Sequence, residues 1–294
     1  MQDYPSDPDI EPQVYPFVDL TTNTISYVVK DPAGMSCAVI DPVLDFDFSS
    51  GRATYHSADK LIECIQQNGL KLEWLIETHV HADHLSAAPY IKSKAGGKIG
   101  ISRKISTVQS TFSKIFSEPA EFRCDGSQFD HLFVDGEVYQ VGSIDAVAIE
   151  TPGHTPACMT HLLGNSAFVG DTLFMPDGGT ARADFPGGDA GQLYDSIQTL
   201  LRLPARTQLF MCHDYGPGGR DIQWKTSVAE QLRDNIHVGA GATRGQFIKM
   251  RETRDASLEV PNLIIPSLQV NMRAGNIPLD NYGRPFIKIP VNAL

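Results

Sequence analysis

No apolar run in this chain approaches the roughly 18 residues that a membrane-spanning helix requires. Basic residues are also short, 24 against 35 acidic ones, which leaves a net charge of -11. Nucleic acid and anionic membrane surfaces reward basic patches, so neither is an expected partner. Cysteine is sparse. Cys37, Cys64, Cys124, Cys158 and Cys212 are odd in number, scattered and without a CxxC pair. That pattern argues against a disulfide framework and for reduced, packed thiols in a cytoplasmic protein. The amino-terminal stretch MQDYPSDPDIEPQVYPF has no basic and no apolar segment. A secretory signal is not expected of it, and its acidity speaks against a mitochondrial transit peptide. A GxSxG elbow and an evident Ser-His-Asp set are missing too, so no protein nucleophile is expected.

What remains is an ordinary globular composition, 41% apolar and 20% charged over 294 residues. TISYVVK and SCAVIDP read as strands joined through DPAG, and LEWLIETH as a buried strand. SADKLIECIQQNG has helical apolar spacing, with its serine, Ser57, as expected N-cap. HLSAAPYIKSKAGG and ISRKISTVQSTFSKIFS read as helices, the first despite Pro89. Three strands follow in SIDAVAIETPGH, ACMTHLLG and NSAFVGD. Helix GQLYDSIQTLLRL, strand QLFMCHD and helix KTSVAEQLRDNI complete an α/β pattern. There is no repeat and no low-complexity linker. The expected organisation is a catalytic unit over residues 1–240 and an extension over 241–294 that wraps the same body. Its tail, VPNLIIPSLQVNMRAGNIPLDNYGRPFIKIPVNAL, is proline-punctuated and reads as partly extended.

Histidine is rare, nine residues in all, yet His79, His81 and His84 fall within six positions of LIETHVHADHLSAA, together with Asp83. His79 and His81 are two apart at the mouth of a strand, which projects both to one side. Asp83 alone would be read as a helix N-cap. Clustered imidazoles repel when protonated and serve best around a cation. Three later strand ends carry the same residue types: His154 after TPG, Asp171 in GD, and His213 with Asp214 in CHD. Ends on one rim of a sheet let distant segments converge on one site. His56, His131, His161 and His237 lack that context and are expected to be structural or superficial. Cys158 and Cys212 lie near candidate ligands but are expected to be packed strand residues.

HVHADH, His154, Asp171 and His213 occur in the order of the motifs of the metallo-β-lactamase superfamily, which this chain resembles over about residues 15 to 240. The resemblance implies an αββα sandwich: two mixed sheets face to face, helices outside, metal at one sheet edge. ETHVHADH, GHTPACMTH, GDTLF, ARADF and HDYG look like the persulfide dioxygenase branch, and PSLQVNMRAGNIP like its bacterial members. Glyoxalase II, a sister group, usually has a further histidine where Val80 stands. By resemblance, one Fe(II) per chain would be held by His79, His154 and Asp171, a facial triad with positions open for substrate and dioxygen. His81, Asp83, His84 and His213 would orient ligands, hold waters and tune acidity. The implied reaction oxidises glutathione persulfide with O2 and water to glutathione and sulfite. Arg182 in TARADF matches the branch's substrate-side arginine, Tyr215 in HDYG a pocket tyrosine, and Arg220 is a further substrate-side candidate. A homodimer is the expected assembly by analogy. All residues of a two-metal site are present as well, so a dinuclear thioester hydrolase of glyoxalase II type stays open at this point.

Overall fold

The computed structural model describes residue 4 and residues 6–293, so residues 1–3, 5 and 294, including the opening of the amino-terminal stretch, lie outside the described residues. The chain begins with β1 (Gln13–Asp19), β2 (Thr24–Lys30) and β3 (Ser36–Ile40). Two shorter strands follow, β4 (Val43–Asp47) and β5 (Arg52–Thr54), then α1 (His56–Gln67) and β6 (Lys71–Ile76). The next elements are β7 (Leu85–Ser86), α2 (Ala88–Ala95), β8 (Lys98–Ser102), α3 (Ile105–Ile115) and β9 (His131–Phe133). The second half contains β10 (Glu137–Val141), β11 (Ile144–Glu150), β12 (Met159–Leu163), β13 (Ser166–Phe168) and α4 (Ala190–Leu200). It ends with β14 (Gln208–Phe210), β15 (Lys225–Ser227), α5 (Val228–Asp234), α6 (Arg244–Asp255) and α7 (Ile264–Asn271).

One six-stranded sheet runs β1-β2-β3-β6-β8-β9, antiparallel over its first pairs and parallel from β3 onward. The other runs β10-β11-β12-β13-β14-β15 and is antiparallel except for β13 beside β14. Strand alternation decides which core each side chain joins. In β2, Ile25, Tyr27 and Val29 face the second sheet, whereas Val28 faces helices. In β11, Ala146 and Ala148 face the first sheet, whereas Val147 and Ile149 face the other way. The inter-sheet core is closed by Tyr27, Phe168 and Phe210, with ring centroids 4.9–5.6 Å apart. A second core packs α1, α2, α3 and α7 on the outer face of the first sheet, and a third packs α4 and Phe247 of α6 on the outer face of the second. The result is the expected αββα sandwich.

Local expectations depart from the structure at particular points. Ser57 does not cap α1, which starts one residue earlier, because its hydroxyl and amide are engaged by Asp45 of β4 at 2.7 and 2.9 Å. Asp83 caps no helix, since Leu85 and Ser86 first pair with Leu44 and Val43. Lys225–Ser227 is a strand rather than the first turn of a helix, and Ser227 with Glu230 forms the capping box of α5. Within the tail expected to be partly extended, Ile264–Asn271 form α7, and α6 precedes that tail. No helix among the described residues is long and apolar enough to cross a membrane.

Candidate metal centre

The four strand ends singled out in the sequence meet at one rim. His79–His84 follow β6, His154 follows β11, Asp171 lies in a short 3-10 turn after β13, and His213 follows β14. Gly170 takes a left-handed φ of 51°, and a Cβ there would lie 2.7 Å from Thr78 Oγ1. Only glycine lets the turn carrying Asp171 come this close to the His79 loop. All of these ligand-type residues are buried except Asp83, which is half-buried.

Hydrogen bonds around the imidazoles fix which nitrogen faces the centre. The Thr78 hydroxyl donates to Asp41 Oδ2 (2.9 Å), so it accepts from His79 Nδ1 (3.0 Å) and leaves Nε2 with its lone pair. His154 Nδ1 donates to the Arg182 carbonyl (2.8 Å), and His213 Nδ1 to the Asn23 carbonyl (3.2 Å). Thr22 donates to Asp19, so Thr24 donates to Thr22 and accepts from His84 Nδ1 (3.3 Å). His81 is reversed. Its Nε2 lies 2.9 Å from Asp41 Oδ1 and 3.3 Å from Glu77 Oε2, so Nδ1 faces its neighbours.

The atoms aimed inward have no hydrogen-bond partner: His79 Nε2, His81 Nδ1, His84 Nε2, His213 Nε2, Asp83 Oδ2 and Asp171 Oδ1. Buried polar atoms are expensive to leave unpaired, and six of them converging is the signature of a cation site. Two donor sets stand side by side. His79, His154 and Asp171 form one, and His81, Asp83, His84 and His213 the other, each with ligand atoms within 4.8 Å of one another. Asp171 lies between them. Its Oδ2 is 3.5 Å from His154 Nε2 and 3.9 Å from His79 Nε2, and its Oδ1 is 3.4 Å from His213 Nε2. The imidazoles of His79 and His154 with the Asp171 carboxylate fit a divalent transition metal.

Burial and the nearby rings of His81 and His154 push the His79 imidazole well below its ordinary pKa, which keeps its lone pair available. Burial would also lower His81, but Asp41 and Glu77 outweigh it and hold that ring well above the usual value. Burial pushes Cys158 up to about 12 and Cys212 up as well, so both are protonated packed thiols. Asp41 and Glu77 are the centre's missed residues. Asp41 ends the apolar strand SCAVID, the same signal that marks Asp171, and it adopts a left-handed φ of 49° to reach His81.

The centre opens into a cavity of about 650 Å³ that Asp83, His154 and Asp171 share with Phe174, Phe185 and Tyr215. The expected substrate residues fare differently. Tyr215 lines the cavity, exposed, with its ring parallel to His213 at 6.2 Å. Arg182 lines it too, but its fork is taken by Asp184 (2.6 and 2.7 Å) and the Glu259 carbonyl (2.6 Å), and its plane lies over Phe185. Arg220, expected on the substrate side, stands apart from the other two. It is not among the residues lining this cavity, and its donors are consumed by Asp177, Asp214 and the Asp221 carbonyl. Asp214 is accordingly the buried partner of an arginine and no metal ligand. Arg220→Ala should leave the KM of any glutathione-derived substrate unchanged while lowering stability by about 1–3 kcal/mol, read by thermal unfolding. A raised KM would restore it to the pocket. The cation that the sequence reading missed is Arg254 of α6. It lines the cavity and has no acidic or hydrogen-bonding side-chain partner among the described residues.

Fold and site together define a metal-dependent enzyme scaffold with a His/Asp metal-binding site at one sheet rim. The profile of the Metallo-beta-lactamase superfamily matches residues 21–213, and the chain belongs to that superfamily. It is 51% identical to a probable metallo-hydrolase of Burkholderia pseudomallei, over 95% of this chain and 98% of that one. A Beta-lactamase hydrolase-like protein of Agrobacterium fabrum is 47% identical over 96% of this chain, which spans 65% of that longer protein. Likeness also reaches the mitochondrial persulfide dioxygenase ETHE1 of Homo sapiens, 29% identical over 86% of this chain and 84% of that one. Among solved structures, ETHE1 from Myxococcus xanthus superposes with a TM-score of 0.71 at 29% identity, over 90% of this chain and 100% of that one. The last two likenesses support the persulfide dioxygenase branch.

Proposed function

We propose that this chain is an Fe(II)-dependent dioxygenase that converts glutathione persulfide, O2 and water into glutathione, sulfite and two protons. In that conversion the sulfur atoms lose four electrons and dioxygen gains them. The observation that carries the reading is the set His79 Nε2, His154 Nε2 and Asp171 Oδ2, two imidazoles and one carboxylate, with His154 and Asp171 bordering the cavity. Ferrous iron bound there would supply open coordination positions and the redox route between sulfur and dioxygen.

The chain's own groups do the rest. Thr78 and the Arg182 carbonyl hold the two imidazoles in the tautomer that ligation needs. Asp83 and His213 face each other at 3.3 Å (Oδ2 to Nε2), where they can take up protons released when water adds to oxidised sulfur. Phe174, Phe185 and Tyr215 give the cavity aromatic walls against which the persulfide can pack. Arg182 stands as a fixed wall, so the guanidinium left for a glutathione carboxylate is Arg254. Arg254→Ala should raise KM for the persulfide about tenfold with kcat retained, as expected for one lost charge-assisted contact at an exposed site. An unchanged KM in steady-state kinetics would remove Arg254 from the substrate's path.

A second reading, a two-metal thioester hydrolase, is favoured by the intact set His81, Asp83, His84 and His213. A relative named Glyoxylase B2 in Dictyostelium discoideum, 46% identical over 95% of this chain, points the same way. Metal analysis of protein purified without oxygen separates the two. One iron per chain supports the dioxygenase, and two zinc or mixed ions support the hydrolase.

A further inference from the structure

Helix α7 lies beyond residue 213, where the superfamily match ends, yet its last residue reaches into the metal loop. Asn271 is buried, and its side-chain amide donates to the His81 carbonyl (2.9 Å) and the His84 carbonyl (2.8 Å). Its Oδ1 accepts from the Ser86 amide (2.8 Å). Both donors and the acceptor of one planar group therefore span the backbone from His81 to Ser86. That is the stretch carrying Asp83 and His84. The loop has no regular ladder between β6 and β7, so these bonds satisfy backbone groups that would otherwise be buried and unpaired. The turn after α7 comes as close: a Cβ on Gly275 would lie 2.8 Å from the Ser86 carbonyl.

We infer that Asn271 is a positioning residue of the metal centre: a carboxamide clamp, supplied by the carboxy-terminal segment, that fixes the His81–Ser86 backbone so that His81, Asp83 and His84 keep their inward-facing atoms at the centre. No other residue type fits as well. An aspartate would set a carboxylate against two carbonyl oxygens, and a glutamine would carry the amide one carbon too far. The clamp acts on the loop whichever reaction the centre performs, so it stands apart from the choice between oxidation and hydrolysis.

The test compares two ways of loosening α7 in the full chain. Asn271→Ala removes the clamp. Gln109→Ala removes a different buried tether, the 2.9 Å bond from Gln109 to the Met272 carbonyl, without touching the metal loop. Co(II) serves as the probe, with affinity measured by chelator competition and geometry by visible absorption, alongside thermal unfolding of the metal-free protein. Asn271→Ala should bind Co(II) about 10–100-fold more weakly with an altered spectrum, the range seen for groups that orient metal ligands. Gln109→Ala should lose stability while keeping wild-type affinity and spectrum. If Asn271→Ala does not fold, Asn271→Ser, which keeps a short donor, takes its place with the same expectation. Wild-type affinity and spectrum in the folded Asn271 variant would overturn the inference. So would an equal loss of affinity in Gln109→Ala, or failure of both Asn271 variants to fold, since each would reduce Asn271 to general support.

Discussion

Asp171→Ala is expected to abolish bound metal and to lower kcat/KM by at least about a thousandfold, some 4 kcal/mol of transition-state stabilisation. The reason lies in where its two oxygens point. Oδ2 completes the set with His79 and His154, and Oδ1 faces His213 across the second set, so no other residue can take both roles. Removing it also leaves buried imidazole nitrogens facing one another with no anion between them. The fold should survive, because the carboxylate makes no hydrogen bond that holds a strand or helix in place. Circular dichroism and metal stoichiometry check the two halves of this statement. A variant that keeps its metal, or keeps a tenth of its activity, would mean that the centre is assembled from other ligands.

The largest effect on stability should come from Arg251. This arginine of α6 is buried with Asp255, which it contacts at 2.6 and 2.8 Å, and it donates to the Thr180 carbonyl at 3.1 Å. Asp255 in turn accepts from the Ala183 amide at 2.9 Å. The pair thus pins residues 180–183 from behind, and the Arg182 carbonyl in that stretch is the group that orients His154. Arg251→Ala would strand the Asp255 carboxylate in the interior, which costs about 3–5 kcal/mol for buried pairs broken on one side. Chemical denaturation should show that loss as a shifted midpoint with an unchanged slope. Arg251→Ala with Asp255→Ala together should recover part of it, because the uncompensated charge is gone. A single variant as stable as wild type would mean that water reaches Asp255 and the pair is not buried in solution.

The contrast between Asp171 and Arg251 shows where the sequence is informative. Asp171 ends an apolar strand, a place where a carboxylate needs a reason, and the same logic picks out His154 and His213. Strand alternation gives the α/β pattern and the strand-end histidines point to one sheet rim, whereas the αββα sandwich follows from the resemblance to the metallo-β-lactamase superfamily that HVHADH and the later motifs carry. Helix α6 escapes such reading because it is anchored by polar residues. Only Phe247, Arg251 and Asp255 of RGQFIKMRETRD are buried, so no apolar stripe announces it. Helix α7 is masked by Pro266, which reads as a breaker but occupies the first turn, where no amide hydrogen bond is lost. Arg220 shows the converse. Its sequence neighbourhood, GPGGR after the histidine strand, suggests a pocket cation, while its partner Asp177 is 43 residues away and invisible to local pattern. Asn271, 187 residues from the His84 carbonyl it clamps, is illegible for the same reason.

The proposed centre is a single ferrous ion held by His79, His154 and Asp171, with glutathione persulfide oxidised beside it. The most direct measurement is oxygen uptake by anaerobically iron-loaded protein given glutathione persulfide, with sulfite measured in the same vessel. One O2 is expected to be consumed per sulfite formed, with one iron per chain. Protein that consumes no oxygen on this substrate, yet hydrolyses S-lactoylglutathione with two metal ions bound, would contradict it.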